Sequence, residues 1–311
     1  MNAVKVTSYK SLAASAVDRL RAAVGQPLTR RFSAPSGCNF PVVFSQARSC
    51  RPFLNYPEYT KDDCPLCARI REGVTSTAVV SGMEWLPANF PIKPLHAIVY
   101  PREHRASMLV SDICYLGHFI DQAGDVIAGI NFRGAAASIW NHFHAQLHDL
   151  DLCPADDGEL HGSDVFPILG CPTDPIAGHT SLRLFRVGSY PAFCMVLEGP
   201  WPLLGAWMIT YTAASNNRPT NFALASGPKL YIIPRGLERA PDSENSFGAS
   251  EMLGLISPIT RAAFDSIVSG EFIDTVLRAC GLTAEAEIRA ALEHARWVTE
   301  HTGADGGTCA V

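Results

Sequence analysis

Between residues 77 and 100 the apolar side chains fall in short blocks, Thr77 to Val80, Met83 to Leu86 and Ala97 to Tyr100, separated by Ser81-Gly82 and by Pro87 through Pro94. Short blocks of this kind between turn formers predict strands of an antiparallel sheet. The period then lengthens: Leu116, Phe119, Ile120, Ala123, Val126 and Ile127 recur about every 3.6 residues, predicting a helix capped by Ser111 or Asp112. Ala135 to His148, small and β-compatible, predicts a central strand. Beyond an acidic loop (Ala155 to Asp164) and a proline-rich stretch at 167–175, strands are predicted at Leu182–Val187, Ala192–Leu197 and Trp207–Thr212. Phe222–Ala225 and Leu230–Ile233 form a hairpin around Ser226-Gly227-Pro228-Lys229. Two helices close the chain, Glu271–Ala279 stopped by Gly281, and Thr283–His301 with Ile288, Leu292 and Trp297 as its apolar positions. At the other end, Leu12, Val17, Leu20 and Val24 predict an amphipathic helix over 10–24. Gly25-Gln26-Pro27 ends it, and an extension rich in Pro, Ser and Arg runs to about residue 60 and must pack on something else. The second half repeats the sheet theme weakly.

Composition narrows the classes. With 311 residues, 47% hydrophobic and 18% charged, the chain has material for a substantial core in one or two domains. Twenty-five basic against 30 acidic residues leave a net charge of -5, so no broad basic field is present to hold a nucleic acid. No apolar run approaches the ~20 residues needed to span a bilayer, and no secretory signal pattern opens the chain. A soluble cytoplasmic protein is expected; the alternative, an organellar transit peptide, rests on Asp18 being the one acidic residue before Glu58. Ten cysteines with a single CxxC (Cys64, Cys67) read as reduced, mostly buried thiols plus one knuckle of the spacing that suits tetrahedral zinc.

The chemistry concentrates at His142-Phe143-His144-Ala145-Gln146-Leu147-His148. In a strand, intervals of two point the three histidines and Gln146 to one face, with Phe143, Ala145 and Leu147 on the other. Each imidazole costs desolvation unless partnered, so such a row is poorly explained by packing. The motif resembles the histidine-triad superfamily in its transferase branch, which carries His-x-His-x-Gln and includes galactose-1-phosphate uridylyltransferases, diadenosine tetraphosphate phosphorylases and GDP-L-galactose phosphorylases. Upstream, Asn131-Phe-Arg-Gly134 leading to Asn141-His142 is similar to the segment before that motif, and Asn89 through His104 to the superfamily's nucleotide-facing strand pair. Asn221, Leu230 through Arg235, and Gly248 through Pro258 are similar to the phosphorylases. Coverage is about residues 60–260.

The resemblance implies an α+β fold of two histidine-triad-like halves forming a pseudo-dimeric unit. Residues 1–60 would be an extension, 61–155 the catalytic half, and 156–311 a degenerate half with the C-terminal helices. It implies transfer of a nucleoside monophosphate group from a nucleoside diphosphate sugar or dinucleoside polyphosphate to phosphate or a sugar phosphate. His144 is then the nucleophile, its second ring nitrogen donating to a backbone carbonyl, and Gln146 holds a non-bridging oxygen without offering an acidic proton. Asn131, Ser138 and Asn141 become candidate donors around the phosphates, Asn89 lies near the nucleoside, and Arg235 reaches the leaving phosphate. Each has a plain alternative: a turn or strand-edge polar residue for the first four, a surface arginine for the last. His148 lies one step past the motif and is expected to face solvent. The uridylyltransferase resemblance further implies a structural zinc held by Cys64, Cys67, His104 and His142; the alternative is two buried free thiols with unrelated histidines. A histidine-triad hydrolase and a zinc-stabilised nucleotide-binding protein remain the rival functions, and a homodimer is compatible with either.

Overall fold

The computed structural model describes residues 27–49, 58–73, 83–93, 96–152, 160–179, 181–214, 218–239, 246–282 and 285–301. The helix expected over 10–24 and the strand expected at Thr77–Val80 lie outside them. The chain enters with a hairpin, β1 (Leu28–Ser33) and β2 (Asn39–Phe44), followed by a single turn, α1 (Gln46–Ser49). The cysteine knuckle opens α2 (Pro65–Arg71). Then come β3 (Met83–Pro87), β4 (His96–Pro101), α3 (Val110–Ala123), β5 (Val126–Asn131) and β6 (Ala145–Asp149), with β7 (Asp151–Leu152) and β8 (Leu160–His161) as a minor ribbon. The second half runs β9 (Thr173–His179), β10 (Leu182–Val187), β11 (Met195–Glu198), α4 (Trp201–Ala214), β12 (Thr220–Ala225) and β13 (Lys229–Pro234). It ends with α5 (Ala249–Met252), α6 (Arg261–Ser266), α7 (Gly270–Cys280) and α8 (Glu285–His301).

Nine strands form one antiparallel sheet in the order β3-β4-β6-β5-β12-β13-β11-β10-β9. Its symmetry is visible in the connectivity. Counted outward from the β5–β12 seam, the first half places its strands β5, β6, β4, β3 and the second β12, β13, β11, β10. Each half is thus the same strand-strand-helix-strand-strand unit, with α3 and α4 in matching positions. The seam is a full antiparallel ladder from Asn131↔Asn221 to Ile127↔Ala225, and α3 packs on α4 at its glycines. A Cβ on Gly117 would fall inside the Trp201 indole, and one on Gly205 would lie 3.2 Å from the Ile113 Cβ. The two-half α+β architecture expected from the motif is therefore present.

Helices α3, α4 and α8 cover one face of the sheet, burying Ala97, Val99, Phe143, Ala145, Leu147, Phe222 and Leu224 among others. The opposite face is shared. The β1–β2 hairpin and α5 through α7 pack over Ile127, Ala223, Tyr231 and Ile233, while Cys64, Leu66, Cys67, Leu86 and Tyr100 form a small separate cluster by β4. The described hairpin of the extension does pack on something else: it joins the core under α5 through α7, with Val42 bridging Ile256.

Several expected boundaries move. The first helix stops at Ala123, because Gly124 takes a left-handed φ of 78°, and Val126 and Ile127 open β5 instead of continuing the helical stripe. Its N-cap is Leu109 rather than Ser111 or Asp112; Asp112 contributes from inside the first turn, its carboxylate accepting from the Leu109 N–H at 2.8 Å. The long strand expected from Ala135 is regular only from Ala145. Trp207–Thr212 is helix, not strand: Trp201 to Ala214 is apolar nearly all round and lies buried between α3 and α8, a setting where periodicity cannot separate helix from strand. In α8 the expected Ile288 and Leu292 do pack against the core beside the buried Ala291, Ala295 and Val298, but Trp297 is 46% exposed.

Candidate active site

The two halves differ at one connection. In the second, β12 turns into β13 through residues 226–228 alone; in the first, the link from β5 to β6 spans residues 132–144 and carries the histidines. Its start is fixed to the second half. The Asn131 Oδ1 accepts from the Asn221 Nδ2 at 2.8 Å and from the Ala249 N–H at 2.7 Å, and the same Asn221 amide donates to the Ala135 carbonyl at 2.9 Å. Ala136 then takes φ 67°, a left-handed conformation rare outside glycine, and this turns the chain back toward β6. At the far end the Phe143 N–H donates to the Arg105 carbonyl at 2.7 Å.

Because Phe143, Ala145 and Leu147 point into the helix-covered core, His144, Gln146 and His148 face the other way, as the alternation predicts. His144 is 6% exposed, and its Nδ1 lies 3.0 Å from the His142 carbonyl oxygen. A carbonyl only accepts, so Nδ1 carries the proton and Nε2 holds a free lone pair. Burial pushes this imidazole below its usual range, which keeps the ring neutral at pH 7. Gln146 is half-buried, in register with Ile98 on β4 and Gly129 on β5. Gly129 has no room for a side chain, since a Cβ would sit 2.9 Å from the Cβ of Ala249 in α5.

The four residues expected to hold a metal do converge. Cys64 caps α2 and Cys67 lies in its first turn, His104 follows β4, and His142 precedes β6. Their ligand atoms all lie within 4.8 Å of one another. The His142 Nδ1 is 3.3 Å from the Cys64 Sγ and 3.6 Å from the Cys67 Sγ, and the His104 Nδ1 is 3.4 Å from the Cys67 Sγ. Tetrahedral zinc, with bonds of ~2.3 Å to sulfur and ~2.0 Å to nitrogen, separates its ligands by roughly these distances. The outer shell fits as well: the His142 Nε2 donates to the Pro101 carbonyl at 2.9 Å, turning the Nδ1 lone pair toward the thiols. Burial, and then the neighbouring Cys64, pushes the Cys67 thiol up to about 11, while burial holds His142 down at about 4. Two thiols and two imidazoles gathered about one point form a Cys2His2 set able to hold a metal ion.

The remaining candidates divide. The Asn131 Oδ1 is taken up by Asn221 and Ala249. Asn141 is buried, its amide donating to the Tyr59 carbonyl, while its Oδ1 has no partner among the described residues. Ser138 is half-buried on the 132–144 link. Asn89 is held by Arg69 of α2. Arg235 is no surface arginine. It is 2% exposed, and all five of its N–H donors are engaged, by the Cys280, Phe247, Leu237 and Glu238 carbonyls and the Asn221 Oδ1. His148 does not face solvent either: it is fully buried, stacked on His96 with ring centroids 4.2 Å apart, and its Nε2 meets the Ser250 Oγ at 2.8 Å. Beside it a buried Lys93–Asp149 ion pair closes the end of β6. The roles of Asn221 and Ser250 escaped the sequence reading, because only the β5–β12 register brings them next to the histidine strand.

No protein-family model matches the chain, and no curated protein matches it in sequence. Solved structures do. Yeast Ap4A phosphorylase in complex with Ap4A aligns at a TM-score of 0.63 and 15% identity over 91% of this chain and 100% of its own. The same enzyme in complex with AMP aligns at 0.58 and 14% over 89% and 97%, and a third structure of it at 0.61 and 14% over 94% and 100%. At such identities the likeness is one of fold. The chain shares the fold of this Ap4A phosphorylase over nearly its whole length.

Proposed function

We propose that the chain is a nucleotidyltransferase working by phosphorolysis, with a covalent nucleotide on His144. The observation that carries the reading is the hydrogen bond from the His144 Nδ1 to the His142 carbonyl, which leaves a neutral Nε2 as nucleophile on the sheet face shared with Gln146. In the first displacement the Nε2 lone pair attacks the α-phosphorus of a nucleoside diphosphate sugar or dinucleoside polyphosphate. The bond to the bridging oxygen breaks, and the leaving phosphate departs with that electron pair. In the second, an oxygen of inorganic phosphate or a sugar phosphate attacks the same phosphorus and the P–N bond returns its electrons to the ring. Two inversions give retention. Gln146 steadies a non-bridging oxygen through its amide N–H. Asn141 has its amide committed to Tyr59, so its Oδ1 suits a hydroxyl or N–H of the nucleoside better than a phosphate oxygen.

In this reading Cys64, Cys67, His104 and His142 hold a structural zinc ion. With four protein ligands it would leave no open position, and its contribution would be to tie α2 and the end of β4 to the segment bearing the nucleophile, just before β6. Residues 61–155 supply the chemistry, and 156–311 the degenerate partner half. Fold likeness to an Ap4A phosphorylase supports trying dinucleoside polyphosphates first.

The test is incubation with nucleotide substrates labelled at the α-phosphate. An acid-labile label on the protein, absent in His144→Ala, and product formation that requires added phosphate are expected. Phosphate-independent release of the monophosphate would instead mark a hydrolase. Neither label nor turnover across a panel of nucleotide sugars and dinucleotides would leave a nucleotide-binding protein.

A further inference from the structure

A second pair of cysteines lies on the hairpin side of the molecule. Cys38 stands immediately before β2, and Cys171 follows the single 3-10 turn at Pro167–Gly170. They are 133 residues apart in sequence, yet their sulfurs are 3.6 Å apart and share a hydrogen bond. We propose that Cys38 and Cys171 form a redox-active dithiol that a hydroperoxide converts to an intramolecular disulfide.

Three observations carry this. The sulfurs need to approach by only ~1.5 Å to reach bonding distance, and both residues sit in turns rather than inside a strand or helix, where a side chain rotates without breaking a ladder. The pair also divides the labour. Cys171 is the partly exposed member, and its Sγ lies 3.6 Å from that of the buried Cys38. The hydrogen bond from Cys171, the largest influence on Cys38, lowers the Cys38 thiol to about 7. Either sulfur can donate in this contact, and Cys38, the thiol lowered by it, is then the attacking sulfur and Cys171 the thiol that resolves the intermediate. Finally, the other described thiols are placed differently: Cys114 is buried in the helix-covered core. Cys64 and Cys67 face His142 and His104, and burial pushes Cys194 and Cys280 up, away from the reactive form.

The chemistry balances with hydrogen peroxide as oxidant. The Cys38 thiolate attacks one peroxide oxygen, the O–O bond breaks, and hydroxide leaves and takes up a proton, giving a sulfenic acid and water. The Cys171 sulfur then attacks the Cys38 sulfur, the S–O bond breaks, and the hydroxyl departs with the thiol proton as a second water. Each bridge removes two electrons from the pair of thiols and reduces one hydrogen peroxide to two waters. The product would fasten the β1–β2 hairpin to the segment entering β9. Because the loop it closes is long, it removes much freedom from the unfolded chain.

The experiment treats the full-length, zinc-loaded protein with stoichiometric hydrogen peroxide, alkylates the remaining thiols in denaturant and maps the peptides by mass spectrometry. Expected are a Cys38–Cys171 linked peptide that dithiothreitol reverses, and a melting temperature several degrees higher in the oxidised form. Cys171→Ala, the milder of the two substitutions because that side chain is partly exposed, should lose both effects and leave a Cys38 sulfenic acid trappable by dimedone. Cys38→Ser should show neither link nor trapped adduct, with circular dichroism checking that it folds. Cys38 and Cys171 remaining fully alkylatable while Cys64 and Cys67 are oxidised would overturn the proposal. So would a link from either residue to a different cysteine.

Discussion

Replacing Arg235 by methionine tests whether that residue serves the fold or a phosphate. Methionine keeps much of the side-chain volume, so the change removes hydrogen bonds rather than packing. In the native chain the guanidinium Nε donates to the Cys280 carbonyl at 3.3 Å, Nη1 to the Asn221 Oδ1 and the Phe247 carbonyl, and Nη2 to the Leu237 and Glu238 carbonyls at 2.7 and 3.1 Å. The Leu237 and Glu238 carbonyls are only partly buried, so water can replace the arginine there. The Asn221, Phe247 and Cys280 acceptors are enclosed. An orphaned buried acceptor costs about 1–3 kcal/mol, and local relaxation recovers part of it, so the three together give a loss of about 4 kcal/mol. That is a large share of a domain's stability and falls in the range reserved for broken buried networks. Equilibrium urea unfolding should show a lower midpoint at unchanged m-value. Turnover per folded molecule should change far less than stability, beyond any loss transmitted through Asn221 to Asn131. A variant within 0.5 kcal/mol of wild type that has lost turnover would refute the structural assignment and restore Arg235 to the phosphate.

Gly117→Ala gains ~1 kcal/mol of helix propensity but drives a methyl into the Trp201 indole, which a 2.7 Å hydrogen bond to Asp121 holds in place. A net loss of about 2 kcal/mol by urea unfolding is expected, and unchanged stability would mean that α3 and α4 are not in the described contact. Removal of the metal by a strong chelator, or His104→Ala, should abolish a stoichiometry of one zinc per chain, read by atomic absorption, and lower the melting temperature; purified protein that never binds zinc under reducing conditions would rule the centre out. His148 gives a pH signature. Burial, with the nearby charges of His96, Lys93 and Arg48 adding to it, sets its folded pKa well below the usual 6.5. As pH falls below about 6.5 the unfolded chain therefore takes up a proton that the folded chain refuses, and stability drops by up to ~1.4 kcal/mol per pH unit. Urea midpoints at pH 7.5 and 5.5 should converge toward each other in His148→Gln relative to wild type.

The sequence alone determined the facing of residues 143–148, although only Ala145–Asp149 forms regular strand. His142, His144, Gln146 and His148 alternate with Phe143, Ala145 and Leu147, and a strand has a period of two, so which side chains point to the helix-covered core was legible residue by residue. The convergence of Cys64, Cys67, His104 and His142 was legible through the resemblance, and the hairpin at Ser226-Gly227-Pro228 through its turn residues. Tertiary structure decided the rest. Whether Trp201 to Ala214 is strand or helix depends on what surrounds it, since a segment apolar on every side carries no periodicity to read. Whether Arg235 touches a ligand depends on which acceptors lie within reach, and those come from Asn221, Phe247 and Cys280, brought together by the β5–β12 seam and the packing of α7. His148, expected in solvent, is buried because α5 carries Ser250 down onto the end of β6 from a hundred residues away. A local pattern fixes the direction in which a side chain leaves its own backbone, whereas its partners come from distant parts of the chain and are set only when the layers pack.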